Sequence, residues 1–151
     1  MDINLIKKNE IFNLLTDEEL KLIETICKTK KMDESESIFE EGDESDALYI
    51  LMKGRVAIEI QLQMKSDKAS VHTVEEGQVF GEFALIDKAP RSASAIAVKE
   101  STLLEISIND LNKLMDSNSN IGYKIMKNFN KILSTRIKKT TKELRASLLW
   151  N

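Results

Sequence analysis

Gly81-Glu82-Phe83-Ala84-Leu85-Ile86-Asp87-Lys88-Ala89-Pro90-Arg91-Ser92-Ala93 holds the chain's only proline and one of its five glycines. The segment reads as a short helical turn opened by a glycine, followed by a rigid turn that aims an arginine. Glycine lets the backbone approach a ligand closely, and the free N–H groups of a first helical turn point at whatever sits there. The dipole of even one turn favours negative charge. Arg91 adds a planar fork that fits phosphate oxygens two at a time, and Ser92 supplies a hydroxyl donor. The stretch is built for an anion. Glu82 is out of place beside one unless it has its own task, such as accepting a hydrogen bond from a sugar hydroxyl.

Outward from this segment the pattern is that of short strands. From about Lys30 to Ser107, runs rich in Val, Ile, Leu and Tyr are punctuated by Gly42, Gly54 and Gly77. Leu48–Met52, Val56–Leu62, Val71–Val74 and Leu103–Ser107 are the clearest of them. Several such runs with no long helix between them predict an antiparallel barrel or jelly roll.

Helices flank it. Thr16 and Glu19 form a capping-box pair ahead of Leu20, Leu22, Ile23, Ile26 and Cys27, which predicts a first helix with Cys27 packed on its apolar face. Ser107 and Asp110 form a second such pair, opening a short helix through Met115. After the polar break Asp116 to Asn120, a long helical pattern carries Ile125, Phe129, Leu133, Ile137, Leu144 and Leu148. No internal repeat or low-complexity linker interrupts the chain. The fold class is α+β: a jelly roll with one N-terminal helix and two C-terminal helices. The expected boundaries are a helical segment 1–30, a jelly roll 31–107 and C-terminal helices 108–151.

Composition narrows the function. A length of 151 residues points to a single domain, and 42% hydrophobic with 31% charged residues is an ordinary globular profile. The single cysteine excludes an intrachain disulfide, so a reducing, cytoplasmic setting is expected. One histidine and one cysteine exclude the usual four-ligand Cys/His zinc site. No apolar run approaches the ~20 residues of a membrane span, and Met1 to Glu10 does not resemble a signal peptide. With a net charge of −3, an anion must be held by local features. Asp33 to Asp46 holds eight acidic residues and no basic one, while Lys131 to Arg145 holds six basic residues against Glu143 alone. Both runs read as solvated surface. A nucleic-acid tail is disfavoured, because the basic positions interleave with an apolar stripe and no aromatics alternate with them. His72 lies on a strand with no catalytic or metal-binding partner nearby. An enzyme would need a general base or metal ligands beside the segment, and beyond Glu82 and Asp87 there is no such cluster, so no enzymatic activity is expected.

Phe80 to Ala93 resembles the phosphate-binding cassette of cyclic-nucleotide-binding domains: Phe-Gly-Glu, a small apolar stretch, then Pro-Arg, a small residue and Ala. Glu82 and Arg91 lie nine residues apart, the spacing of the family's kinase regulatory subunits. A second family element stands upstream in Ile38-Phe39-Glu40-Glu41-Gly42-Asp43, running into Leu48-Tyr49-Ile50-Leu51 and Gly54. The order of elements also agrees with the family, whose jelly roll has about eight strands. The resemblance covers nearly the whole chain.

It implies roles residue by residue. Gly81, Glu82 and Ala84 offer backbone N–H groups to a cyclic phosphate, Arg91 pairs with its charge, and Ser92 donates a hydroxyl. Glu82 accepts the ribose 2′-hydroxyl. Phe83 belongs to the same ligand-binding set, and Val71 and Ala93 belong to the wall of the base pocket. Leu85 resembles the apolar residue that passes cassette movement to the last helix. Thr140 and Thr141 resemble the Thr-Ser pair with which catabolite-activator-type regulators contact adenine, one residue from each subunit of a dimer. Here an apparent extra turn of helix precedes the pair. Trp150 either caps the base or is a tail residue that packs on the barrel or is disordered. Ser92 carries a hydroxyl that in kinases and channels of the family tends to favour guanine when the residue is threonine. Arg-Ser-Ala also occurs in the adenine-preferring regulators. The ligand implied is cyclic AMP, with cyclic GMP the other possibility. No helix-turn-helix, tandem domain or membrane span accompanies the domain, so no direct DNA or membrane binding is expected. Output would pass to an effector protein, or to a homodimer through the stripe from Phe129 to Leu148. The alternative is a degenerate jelly roll that serves as a structural or interaction module.

Overall fold

The computed structural model describes residues 3–62 and 67–150. In chain order these form α1 (Ile3–Lys7), α2 (Asp17–Thr25), β1 (Cys27–Met32), β2 (Ser37–Phe39), β3 (Ala47–Lys53), β4 (Val56–Gln61), β5 (Lys68–Val74) and β6 (Val79–Phe80). A 3-10 turn (Glu82–Leu85) follows, then β7 (Ser94–Ala97), β8 (Ser101–Ser107), α3 (Ile108–Ser117) and α4 (Ser119–Leu149). The strands make two four-stranded sheets, ordered β1-β8-β3-β6 and β2-β7-β4-β5. Every pairing is antiparallel, which is the expected jelly roll.

β3 sits at the centre because its run Ala-Leu-Tyr-Ile-Leu is apolar on both faces. Leu48 and Ile50 join Leu104 and Ile106 of β8 in the core against the helices. Ala47, Tyr49 and Leu51 face the interior between the sheets with Phe80, Ala95 and Leu103. This alternation is what a strand with a period of two gives when both of its faces are covered.

The N-terminal segment departs from the expectation of one helix in a helical segment 1–30. A short helix, α1, precedes α2, and β1 begins at Cys27, ahead of the expected jelly-roll boundary at 31. β1 is an edge strand rich in lysine (Lys28, Lys30, Lys31), so its apolar signal is faint, and edge lysines discourage pairing with another chain. Cys27 is half-buried and its thiol donates to Ile23 O at 3.2 Å. Burial, helped by Glu24, pushes the thiol up to about 12, which keeps it protonated and inert.

The first capping box forms in full and the second by its Ser107 half. Thr16 accepts from Glu19 N, and the Glu19 carboxylate accepts from Thr16 N. Ser107 accepts from Asp110 N at the start of α3. Asn118 alone separates α3 from α4, a narrower break than 116–120.

The two halves of α4 differ. Ile121, Ile125, Phe129 and Ile132 are buried in the helical core. Buried Asn128 donates to Ile11 O and Asn13 Oδ1, and Lys124 pairs with Glu19 of α2 at 2.8 Å. Past Arg136 every residue through Trp150 is exposed. A segment this long is marginal as an isolated helix, so its order depends on the docked first half. The expected apolar stripe therefore divides: Phe129 belongs to the chain's own core, while Ile137, Leu144 and Leu148 face outward.

Candidate ligand-binding site

Gly81, with φ +68°, occupies the left-handed region as it opens the 3-10 turn. A Cβ there would stand 2.9 Å from Arg91 Nη1 and 3.3 Å from Phe39 Cε1, so the packing as well as the backbone calls for glycine. Behind it, Glu82 is 3% exposed and Arg91 6% exposed. Two ionisable side chains this deeply buried need partners.

Arg91 is held by its backbone and its side chain. Its N–H donates to Asp43 O and its carbonyl accepts from Gly42 N, both at 2.8 Å. The upstream Gly42-Asp43 motif thus clamps the arginine turn. Nη1 donates to Gly81 O at 3.1 Å and Nη2 to Ala47 O at 2.6 Å. The guanidinium lies 4.2 Å over the Phe39 ring and 5.9 Å from that of Tyr49. Nε is buried with no hydrogen-bond partner. Burial pushes the guanidinium's pKa down, opposed by Tyr49, Asp46 and Asp43, yet among the described residues no carboxylate forms an ion pair with it. A desolvated cation with a spare donor is a site short of an anion.

The partner of Glu82 comes from α4. The Arg136 guanidinium pairs with the Glu82 carboxylate, and Arg136 Nη2 also donates to Val79 O at 3.4 Å. Glu82 Oε1 is the oxygen in contact with Arg136 Nη1 and is buried with no hydrogen bond of its own. Arg136 is half-buried, and burial lowers its pKa against the pull of Glu10. It is the last residue of α4 that is not fully exposed, and it fastens the helix to the cassette.

These groups line a cavity of 660 Å³ between the barrel and α4, a size that suits a small organic ligand. Gly81, Glu82, Phe83, Arg91, Ser92, Ala93, Val71 and Thr140 of the expected set all reach it. Phe83 and Val71 stand more than half exposed at its mouth. Ala84 and Leu85 do not line it: Ala84 is buried in the helical core and Leu85 packs against that core. Leu85 thus touches the layer that carries α4. Thr141 is exposed and off the cavity, because successive helical residues point about 100° apart. Trp150 is 90% exposed, neither packed on the barrel nor lining the cavity.

Phe39, His72, Arg136, Lys139 and Glu143, none of them in the ligand-binding set expected from sequence, line the cavity as well. Burial lowers the His72 pKa, reinforced by Arg136 and Lys139 and opposed by Glu10 and Glu75. No group of three or more His, Cys, Asp or Glu side chains able to hold a metal ion occurs among the described residues.

A jelly roll that presents a buried cation and a buried carboxylate in one cavity, under a helix that reaches that carboxylate, has the means to hold a small polar anion. Residues 29–118 match the cyclic nucleotide-binding domain model, and the chain belongs to that family. The family is a regulatory, nucleotide-sensing one. Among similar proteins is the cyclic AMP receptor protein of Thermus thermophilus, 30% identical over 66% of this chain and 46% of that protein. The co-crystal structure of the regulatory domain of Toxoplasma gondii PKA with cAMP has a TM-score of 0.69 at 26% identity, covering 78% of this chain and 45% of that one. A cyclic nucleotide-binding domain from Methylobacillus flagellatus shares the fold with a TM-score of 0.83 at 22% identity, over 93% of this chain and 82% of that one. The chain spans less than half the length of the curated relatives it matches first.

Proposed function

We propose that this domain binds a cyclic mononucleotide, cyclic AMP in the first place, as a regulatory sensor. The observation that carries the reading is buried Arg91 at the cavity wall, with Nε unpaired and, among the described residues, no carboxylate within ion-pair distance of it. Arg136 neutralises Glu82, so the inner site has about one unit of positive charge to offer. A cyclic phosphate diester carries one negative charge and matches it. Arg91 takes the phosphate, Ser92 adds a hydroxyl donor, and Glu82 accepts the ribose 2′-hydroxyl. The backbone N–H groups of Gly81 and Glu82 close around the phosphate, and that of Ala84, which donates to Gly81 O in the free protein, joins them as the turn rearranges.

Thr140 on the cavity wall supports adenine, as do the names of the Thermus and Toxoplasma relatives. Cyclic GMP has one observation in its favour. Glu143 also lines the cavity, and a carboxylate there accepts the N–H donors on guanine's pairing edge.

Signalling runs through α4. Its exposed second half is tied to the site by Arg136, and cassette closure moves Leu85 against the core on which the first half packs. The ligand shifts the position of α4 only by as much as it prefers the closed state. The outward stripe Ile137, Leu144 and Leu148 then meets a second copy or an effector protein. The domain carries no catalytic activity in this reading and works in the cytoplasm; no described helix is long and apolar enough to cross a membrane.

Calorimetric titration of unfolded-and-refolded protein with cyclic AMP, cyclic GMP and linear 5′-AMP tests the reading. Low-micromolar or tighter binding of one cyclic nucleotide with weak 5′-AMP binding is the expected result. Absence of heat from all three would leave the interaction-module alternative in first place.

A further inference from the structure

We infer that Phe39 is a positioning residue for the anion: its ring is the platform that holds the Arg91 guanidinium where a carboxylate would ordinarily stand. The inference rests on Arg91 meeting the cyclic phosphate, as proposed above. Arg91 is 6% exposed, and its guanidinium donates to the carbonyls of Gly81 and Ala47. Nothing anionic within ion-pair distance offsets its charge among the described residues. Instead the guanidinium lies 4.2 Å over the Phe39 ring, whose negative face attracts a cation.

The ring is itself fixed, with centroids 5.8 Å from Tyr49 and 6.2 Å from Phe80 in one aromatic cluster. Phe39 also borders the cavity, so the platform and the anion's path share one wall. The chemical distinction matters. A carboxylate would consume N–H donors and compete with an incoming phosphate, whereas a ring face stabilises the charge and leaves every donor free. Nε, buried and unpaired, is such a donor. The ring supplies preorganisation, which acts on affinity by reducing what must be ordered on binding.

The test is calorimetric binding of cyclic AMP and cyclic GMP to wild type, Phe39→Leu, Phe39→Tyr and protein with pentafluorophenylalanine at position 39. Pentafluorophenylalanine keeps the shape of the ring and removes its negative face, so it decides the matter even if Phe39→Leu fails to fold. Expected is a weakening of about tenfold for Leu and for the fluorinated ring, about 1.4 kcal/mol, with Tyr within about threefold of wild type. In an Arg91→Gln background the Phe39→Leu effect should shrink to within about twofold, because the ring acts through the charge. Equal loss in both backgrounds, or a fluorinated protein that binds like wild type, would overturn the inference. Wild-type protein that binds neither nucleotide would instead remove the proposed function on which it rests.

Discussion

Replacing Arg91 by Ala separates what the arginine does for the fold from what it does for the ligand. In the free protein the change removes two charge-assisted bonds, to Gly81 O at 3.1 Å and Ala47 O at 2.6 Å, and the contact with the Phe39 ring. These favour the folded state by roughly 1.5–3 kcal/mol per bond and about 0.5–2 kcal/mol for the ring. Against them stands the desolvation of a buried cation that has no directly paired carboxylate among the described residues, which costs several kcal/mol. The net loss of stability is therefore small, about 1–3 kcal/mol, and Tm falls by roughly 2–4 °C per kcal/mol in a domain of this size. Binding has no such compensation. Losing a charge-assisted bidentate contact to the phosphate costs roughly 2–4 kcal/mol, or about 30- to 1,000-fold in affinity. The assay is calorimetric titration of folded Arg91→Ala, with thermal denaturation run alongside. A folded variant whose affinity for the cyclic nucleotide fell by less than about threefold would refute the cassette assignment.

The remaining predictions follow from the neighbours of the site. Arg136→Gln leaves Glu82 buried without its cation and should cost about 1–3 kcal/mol, less than a fully buried pair because Arg136 is partly exposed; denaturant titration reads it, and unchanged stability would contradict the pairing. The His72 pKa is depressed in the folded state, so below its ordinary value near 6.5 the unfolded chain binds more protons and stability falls as pH drops; His72→Asn should flatten that part of the pH–stability curve. Leu144→Asp, on the outward stripe of α4, should leave Tm within about 1 °C at dilute protein, as surface substitutions do. The same variant should abolish any dimer seen by analytical ultracentrifugation, and a dimer that persists would place the interface elsewhere.

The cassette was legible because its chemistry is local. Gly81 acts through backbone geometry set within a few residues, and the short helical turn it predicts is observed at Glu82–Leu85, while Pro90 and Arg91 lie in chain without a regular turn. β3 and β8 were legible because apolar residues dominate both. β1 was not, since its lysines suit an exposed edge, and β2 and β6 span only three and two residues. Arg136 was hidden for a different reason: in a run of basic residues, its distinction is the face of α4 it occupies, and tertiary packing of the first half of that helix decides which face meets Glu82. Phe39 gains its role only when β2, β3 and β6 bring three rings together. The adjacent threonines came from the resemblance, in which one residue of the pair is contributed by each subunit of a dimer; in one chain Thr140 lines the cavity and Thr141 does not.

The central claim is that Arg91 and Glu82 divide a cyclic nucleotide between them, phosphate to one and ribose to the other. A crystal structure of the protein with cyclic AMP tests it most directly. The account predicts a phosphate oxygen about 2.7–2.9 Å from an Arg91 nitrogen and the 2′-hydroxyl on the Glu82 carboxylate. A nucleotide bound with its phosphate away from Arg91, or with its ribose out of reach of Glu82, would contradict it.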